Sequence, residues 1–279
     1  MGQFIFIIPY FLAIGLLVGV LSMVFGIGGG LVIVPALDLF LKYLGFSPDL
    51  SMKCAIATSL MTIMVSTLNV LYRQSKSGNV LWVMVSKFLP FVIAGGLVGS
   101  AITTIVSGLL LNYLFIIFLF YVTMHSMLKR DFKTPYKLED FREPSLFSRG
   151  IVGFIIGNLS ILMGIGGNIL FVPYLRHYKL PMKNATAFTV AIMPLLALIG
   201  SIGYIIEGLH TTINMPPYSL GYVNLPALVL ILLGSFLGAY IGQRLIARIT
   251  DKIQARAYIG FLVIILILML SSSNLFNMI

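Results

Sequence analysis

Hydrophobic residues run along the chain in eight long blocks that are separated by short polar segments. The blocks lie near residues 4–42, 54–72, 80–105, 108–128, 150–175, 184–206, 223–243 and 257–274. A helix needs about 20 apolar residues to cross a bilayer, and six of the blocks fit a single crossing. The first and fifth blocks are interrupted by clustered glycines, which destabilise a helix interior. The pattern therefore predicts six spanning helices and two broken helical segments.

The composition supports a chain that lies mostly in lipid. Hydrophobic residues make up 59% of the 279 residues and charged residues only 9%, whereas globular proteins carry about 25% charged residues. We therefore predict an all-α polytopic protein of the cell (inner) membrane. The net charge of +10 is explained by Lys and Arg in cytoplasmic loops, so no nucleic-acid partner is expected.

The two halves of the chain repeat each other. Residues 26–37 align with residues 164–175, because both segments begin with Gly-Ile-Gly-Gly and contain a Val-Pro pair. Farther along, the pattern Met-Lys-x-Ala-x-Ala occurs at both 52–57 and 182–187. We predict a first membrane repeat at 1–128, a polar linker loop at 129–149 and a second membrane repeat at 150–279. Internal duplication of this kind is common in secondary transporters.

The distribution of Lys and Arg helps to choose between two topologies. If both glycine-broken blocks cross the membrane, there are eight spans and the basic residues divide evenly between the two faces. If both blocks are re-entrant hairpins, each repeat has three spanning helices and the repeats are inverted. Only Lys42 and Lys53 then lie on one face, as the positive-inside rule favours. We prefer this second topology, with both termini outside and loop 129–149 in the cytoplasm; the eight-span topology stays open.

The glycine breaks are the first candidate site. Irregular backbone at membrane depth occurs where it is buried in protein or lines a cavity. A helix that begins after such a turn presents free N–H groups and a partial positive charge, which suit an anion. The alternative is that these glycines only allow close packing of helices. The candidate substrate-binding residues in the two turns are Gly28, Gly29, Gly30, Gly166, Gly167 and Asn168.

The second hydrophobic block supplies further candidates because it is unusually polar. Thr58, Thr62, Ser66 and Asn69 recur at intervals of three or four residues and so share one helix face, and Ser59 lies beside that stripe. Hydroxyl groups there could replace the hydration shell of a small anion, and we add Thr58, Ser59 and Thr62 to the substrate-binding set. Ordinary hydrogen bonding between helices explains the stripe equally well.

Charged residues add one ambiguous signal. Lys53 and Lys183 occupy matching repeat positions at helix starts, where a cation opposes the helix dipole. The pair indicates either an attracted anion or two solvated helix ends, and the second explanation is simpler. Asp38 and Glu207 lie near the ends of blocks, so no carboxylate is expected deep in a span.

Enzyme signatures are absent from the sequence. A single cysteine, Cys54, and three scattered histidines give no disulfide framework and no metal-binding cluster. The first glycine cluster lacks the last glycine of a dinucleotide-binding motif, and no phosphate-binding loop of the Walker type occurs. We predict that the protein is not an enzyme and has no catalytic residue, cofactor or metal.

Several motifs taken together resemble the sulfite exporter TauE/SafE family of membrane permeases. They are the glycine–proline segments 26–35 and 164–173, the Ala-Thr-Ser-Leu segment 57–60, the segment 221–226 and the glycines at 234, 238 and 242. The resemblance covers nearly the whole chain. Phe188 departs from it, because the family often has a Thr-Ser pair at that position. The resemblance implies transport of small sulfur-containing anions, such as sulfite, sulfoacetate or other organosulfonates.

These observations predict a secondary transporter that moves small oxyanions by alternating access. Proton coupling and a homodimer are left open. Two other classes of protein fit the same features. One is a passive anion channel, and the other is a membrane scaffold subunit that transports nothing.

Overall fold

Almost every residue that the computed structural model describes is helical, and these residues are 2–25, 29–128, 136–212, 214–246 and 251–276. The first half holds α1 (Gly2–Phe25), α2 (Gly30–Tyr43), α3 (Pro48–Lys76), α4 (Trp82–Thr103) and α5 (Gly108–Leu128). After a short 3-10 helix (Leu138–Asp140), the second half holds α6 (Leu146–Met163), α7 (Asn168–His177), α8 (Met182–His210), α9 (Leu225–Ile246) and α10 (Asp251–Phe276). Strands β1 (Ser219–Leu220) and β2 (Val223–Asn224) form a small antiparallel hairpin between α8 and α9.

Six of the described helices are long and apolar enough to cross a membrane, which confirms a polytopic membrane protein. They are α3, α4, α5, α6, α8 and α9. Five coincide with predicted spans, whereas α6 is the first arm of the broken fifth block. The described apolar parts of α1 and α10 are shorter, at Ile7–Met23 and Ala257–Ser272. The broken blocks are thus pairs of helices, α1 with α2 and α6 with α7.

Local sequence explains where these helices begin and end. Pro48 occupies the first turn of α3, and the Ser47 hydroxyl oxygen accepts a hydrogen bond from the Leu50 N–H at 3.3 Å, so α3 starts six residues before the hydrophobic block does. The helix α6 ends at Gly164, whose φ of 65° lies in the left-handed region that only glycine adopts readily. The predicted break in the fifth block is therefore built on this residue.

Two close helix pairs join the halves through glycine. A Cβ atom on Gly15 or Gly19 of α1 would clash with the α9 backbone at Ile231 or Ser235, respectively. Higher residue numbers on α1 meet higher numbers on α9, so the two helices run parallel. The helices α4 and α6 also run parallel, with glycines of α4 against the α6 backbone. Small residues allow such close approach in membranes, where interhelical packing replaces the hydrophobic driving force.

The central helices α3 and α8 run antiparallel. Lys53 near the start of α3 pairs with Glu207 near the end of α8, and Asn184 near the start of α8 donates a hydrogen bond to the Asn79 carbonyl just beyond α3. An eight-span chain with parallel halves would instead place α3 and α8 parallel. The observed direction is the one that inverted repeats require; the repeat itself and its boundaries stay predictions.

An ionic cluster ties the described part of the linker to the membrane helices. The Glu143 carboxylate accepts hydrogen bonds from Lys87 Nζ at 2.6 Å and from Arg149 Nη1 at 2.5 Å. The hydrogen bond from Lys87 is the main reason that the pKa of Glu143 lies below its usual range. Glu143 therefore keeps its negative charge at neutral pH, and these contacts weaken only as the pH falls through that lowered pKa.

Candidate functional site

The start of α2 and the turn of the second broken segment meet beside α3. Gly30, the first residue of α2, packs so closely on the second turn that an added Cβ atom would collide with the Gly164 carbonyl oxygen and lie 2.7 Å from the Ile165 Cα atom. The buried Ser59 hydroxyl donates a hydrogen bond to that same Gly164 oxygen at 2.7 Å. One residue from each turn and one from α3 thus share a single contact point.

The second turn lies between the middles of α3 and α8. Gly166 has a φ of 55°, and a Cβ atom there would be 3.2 Å from Met193 Cε and 3.3 Å from Ile63 Cγ2. Gly167 precedes α7, and its carbonyl oxygen accepts a hydrogen bond from the Phe171 N–H at 2.8 Å. Asn168 is the first residue of α7 and is 6% exposed. This turn is enclosed by protein, as membrane-depth backbone requires.

The hydroxyl stripe of α3 bonds to protein atoms. Thr58 Oγ1 accepts a hydrogen bond from the Asn224 N–H at 3.0 Å, which attaches α3 to β2. Thr62 Oγ1 donates to the Thr58 carbonyl one turn earlier at 2.8 Å. Thr58 and Thr62 are buried and Asn69 is exposed, so the predicted stripe does not line one continuous surface. The Thr58 bond joins α3 to another element, whereas the Thr62 bond lies within α3.

The predicted site residues are therefore adjacent but enclosed. Gly29 lies at the start of α2, where its carbonyl oxygen accepts hydrogen bonds from Val32 and Ile33. Gly28 lies outside the described residues. The eight others are all buried: Gly29, Gly30, Thr58, Ser59, Thr62, Gly166, Gly167 and Asn168.

The corresponding region of the second half is aromatic. Phe188 aligns with Thr58 in the repeat, and its ring lies 5.1 Å from the Phe88 ring and 5.6 Å from the Phe171 ring, both edge to face. Such pairs are a favourable arrangement for aromatic rings. The departure at Phe188 thus places an apolar cluster where the first half has a hydroxyl group. The hydroxyl group that bonds to the second turn belongs to Ser59 of α3.

A cavity of about 810 Å³ opens at the end of the molecule where α3 begins and α4 and α8 end. Small-molecule sites usually measure about 300–1,000 Å³. The sequence-predicted site residues are not among those that line it. Its polar lining consists of Asp49, Lys53, Ser100, Thr104, Glu207, His210, Thr211 and Tyr222.

A buried ion pair forms the charged part of this cavity. Lys53 Nζ lies 2.6 Å from Glu207 Oε1, and the two side chains are 8% and 11% exposed. Lys53 also donates to the Thr103 carbonyl oxygen at 3.3 Å, and its Nζ lies 5.7 Å from the centre of the Tyr222 ring. Burial, with smaller effects of Glu207 and Asp49, raises the pKa of Tyr222 to about 12. Its phenol is therefore neutral at physiological pH.

The burial of Lys53 corrects one expectation. Lys183 is exposed, as expected of a solvated helix end, but the matching Lys53 is buried. The two carboxylates near block ends both pair with a lysine: Asp38, which is 0% exposed, lies 2.6 Å from Lys42, and Glu207, whose side chain is 11% exposed, pairs with Lys53. The burial of Lys53 could not be predicted from its position next to a hydrophobic block, because Lys53 and Glu207 meet only through the antiparallel packing of α3 and α8.

Apolar contacts lie between the cavity and the glycine turns. A Cβ atom on Gly200 would be 2.7 Å from Leu60 Cδ1, and one on Gly96 would be 3.0 Å from Leu196 Cδ2. Ile161 packs against both glycines. The helices α3, α4, α6 and α8 are therefore in close contact next to the cavity-lining residues Leu97 and Ile199.

The fold and the site together define a class: a polytopic helical membrane protein with broken helices at its centre and a charged cavity at one end. The chain belongs to the sulfite exporter TauE/SafE family, whose family model matches residues 11–269. Three relatives are named as probable membrane transporter proteins. The one from Haemophilus influenzae is 30% identical over 92% of this chain and 95% of its own length.

The other two relatives cover a similar share of the chain. The protein from Methanocaldococcus jannaschii is 28% identical over 90% of both chains. The protein YunE from Bacillus subtilis is 28% identical over 91% of this chain and 93% of its own length. No solved structure shows a significant match. The family and these names indicate a multi-pass membrane transporter, or permease, that works in a lipid bilayer.

Proposed function

We propose that this protein is a secondary transporter, not an enzyme, which moves small sulfur-containing anions by alternating access. Sulfite, sulfoacetate and other organosulfonates are the expected substrates, and the family description of a sulfite exporter supports this class. The observation that carries the proposal is the contact of Gly30, the first residue of α2, with the second glycine turn at Gly164, which also accepts a hydrogen bond from Ser59 of α3. Broken helices that meet near the bilayer midplane form the substrate sites of many secondary transporters.

The position of the cavity supports alternating access. It lies at the end of the protein where α3 begins, and the contacts of Leu60, Leu196 and Ile161 separate it from the glycine turns. In this mechanism a second conformation would open the opposite end and loosen those contacts. The candidate residues Gly29, Gly30, Thr58, Ser59, Thr62, Gly166, Gly167 and Asn168 would then face the path.

Flux in liposomes tests the proposal. The purified protein, reconstituted in liposomes, is expected to accumulate radiolabelled sulfite above equilibrium when a pH gradient is imposed, and to lose this accumulation when the gradient is collapsed. Flux that only equilibrates and ignores the gradient would identify a passive anion channel. No flux of sulfite or of sulfoacetate from folded protein would contradict the proposed transport function and favour a scaffold.

The proposed architecture is a pair of inverted repeats, 1–128 and 150–279, joined by the linker 129–149. The antiparallel direction of α3 and α8 supports it, and so do the parallel pairs α1 with α9 and α4 with α6. We further propose an inner-membrane location with both termini outside and the linker in the cytoplasm, because this topology collects the basic residues on one face. The homodimer stays a prediction.

Cysteine labelling tests this topology. In a Cys54→Ala background, Gln3→Cys is expected to react with an impermeant maleimide from outside intact cells, whereas Thr134→Cys reacts only after the cells are permeabilised. Cys54 itself is fully buried, so its replacement removes a background thiol and exposes no new one. Labelling of Gln3→Cys only after permeabilisation would overturn the proposed orientation.

A further inference from the structure

The cavity at the start of α3 combines a buried cation with an incompletely bonded carboxylate. Lys53 Nζ reaches Glu207 Oε1 at 2.6 Å, while the buried Glu207 Oε2 accepts no hydrogen bond from the described residues. A buried ion pair is favourable only when its remaining polar atoms are also satisfied, and losing either partner leaves an uncompensated charge. The pair is therefore poised to exchange one partner for another.

From this geometry we infer that Lys53 binds the anionic ligand and that Glu207 is the counter-ion which the ligand replaces. The inference rests on the proposed transport function and names a binding residue and a coupling ion for it. When a proton from the cavity water binds the Glu207 carboxylate, Lys53 loses its neutralising partner. A singly charged oxyanion, such as a sulfonate, then takes that place at the ammonium. One proton and one negative charge enter together, so the charge of the site does not change.

The cavity has further groups that suit an oxyanion. Ser100 lines it from α4 and supplies a hydroxyl group, and the neutral phenol of Tyr222 lies beside Lys53. The lining is otherwise largely apolar, with Leu97, Ile199 and Ile202 around the polar groups. Low polarity around the ammonium strengthens its attraction for an anion and disfavours leaving it unpaired.

Other titratable groups face the pair and must be separated from it in any pH experiment. Asp49 lies one turn before Lys53 and its carboxylate accepts a hydrogen bond from the Gly108 N–H at the start of α5. His210 lies one turn after Glu207, and its Nδ1 lies 2.8 Å from the Ile206 carbonyl oxygen. The titratable and charged groups around the pair are Asp49 and Cys54 on α3, Tyr204 and His210 on α8, and Tyr222 before β2.

The repeat provides a matched control for Lys53. Lys183 occupies the corresponding position in the second half, directly after a methionine at the start of α8, but it is exposed. Lys53→Gln and Lys183→Gln are therefore the same substitution at two related positions, one buried in the cavity and one in solvent. Glu207→Gln keeps the shape of the side chain and removes its charge permanently.

Binding of methanesulfonate to the full-length purified protein tests the inference. This anion keeps a single charge between pH 5.5 and 7.5, so any effect of pH belongs to the protein. Titration calorimetry in buffers of different ionisation enthalpy is expected to show uptake of about one proton per anion, with binding up to roughly tenfold weaker for each unit rise in pH. Glu207→Gln should bind without proton uptake and with the same affinity at both pH values. Lys183→Gln should behave as the wild type.

Lys53→Gln should bind no methanesulfonate. If that variant fails to fold because Glu207 loses its partner, the double variant Lys53→Gln with Glu207→Gln removes both charges and should fold yet still bind nothing. Proton uptake that persists in Glu207→Gln, binding by the double variant, or no binding by the wild type at pH 5.5 would each overturn the inference. Gradient-driven sulfite flux by the wild type alongside any of these results would leave the proposed transport function intact.

Discussion

Gly30→Ala is expected to reduce transport strongly and to destabilise the protein. The added methyl group would collide with the Gly164 carbonyl oxygen and with Ile165 Cα, both backbone atoms that cannot rotate away. Overpacking of this kind costs about 1–3 kcal/mol. The start of α2 and the second turn must then move apart, which also weakens the hydrogen bond from Ser59 to Gly164. We expect a loss of sulfite flux of roughly tenfold or more, since each 1.4 kcal/mol corresponds to a factor of ten.

Gly260→Ala is the control for this experiment. Gly260 lies in α10, and a Cβ atom there would meet no atom within 4 Å, so flux and thermal stability in detergent should equal those of the wild type. The same substitution is thus made at a tight contact and in open space. Wild-type flux by a stable Gly30→Ala protein would mean that close contact of the two turns is not required for transport.

Lys42→Met is expected to lower the free energy of unfolding by about 3–5 kcal/mol, the usual cost of leaving one partner of a buried ion pair uncompensated. Asp38 is 0% exposed, and its Oδ2 lies 2.6 Å from Lys42 Nζ on the next turn of α2. Without the ammonium, the carboxylate stays in an apolar environment with its negative charge or must take up a proton. Thermal unfolding of the purified protein in detergent measures the loss.

The double variant Asp38→Asn with Lys42→Met separates charge from packing. It removes both charges while nearly keeping the volume of the side chains, and replacing a whole buried pair is often neutral or stabilising. Its stability should therefore lie close to that of the wild type. A double variant as unstable as Lys42→Met alone would show that Lys42 stabilises α2 by packing rather than by neutralising Asp38.

Hydrophobic patterning was sufficient to locate the helices, and glycine clustering was sufficient to locate the break at Gly164. Both signals are local, because the length of an apolar run and the conformational freedom of glycine depend on few neighbouring residues. The starts of α3 and α8 were less well located. Both helices begin with polar residues that lie outside any hydrophobic run; those of α3, Ser51 and Lys53, are surrounded by protein, whereas Lys183 of α8 is exposed.

The cavity could not be predicted from local patterns. Lys53 and Glu207 lie at opposite ends of two blocks, and nothing in either block indicates that these ends face each other. Their meeting depends on the direction of α8 relative to α3, which in turn depends on whether the broken segments cross the membrane or return. The hydrogen bond of Thr58 could not be predicted for the same reason, because its partner, the Asn224 N–H, comes from a hairpin after α8.

The parallel contact between α1 and α9 has a consequence for biosynthesis. The glycine face of α1 is completed by a helix from the other end of the chain, so it has no native partner when α1 first leaves the ribosome. At translation rates of roughly 5–20 residues per second, the roughly 200 residues between the two helices take about 10–40 s to synthesise. Throughout that interval lipid or the insertion machinery must cover the glycine face of α1. The two halves therefore assemble largely after their helices have been inserted into the membrane.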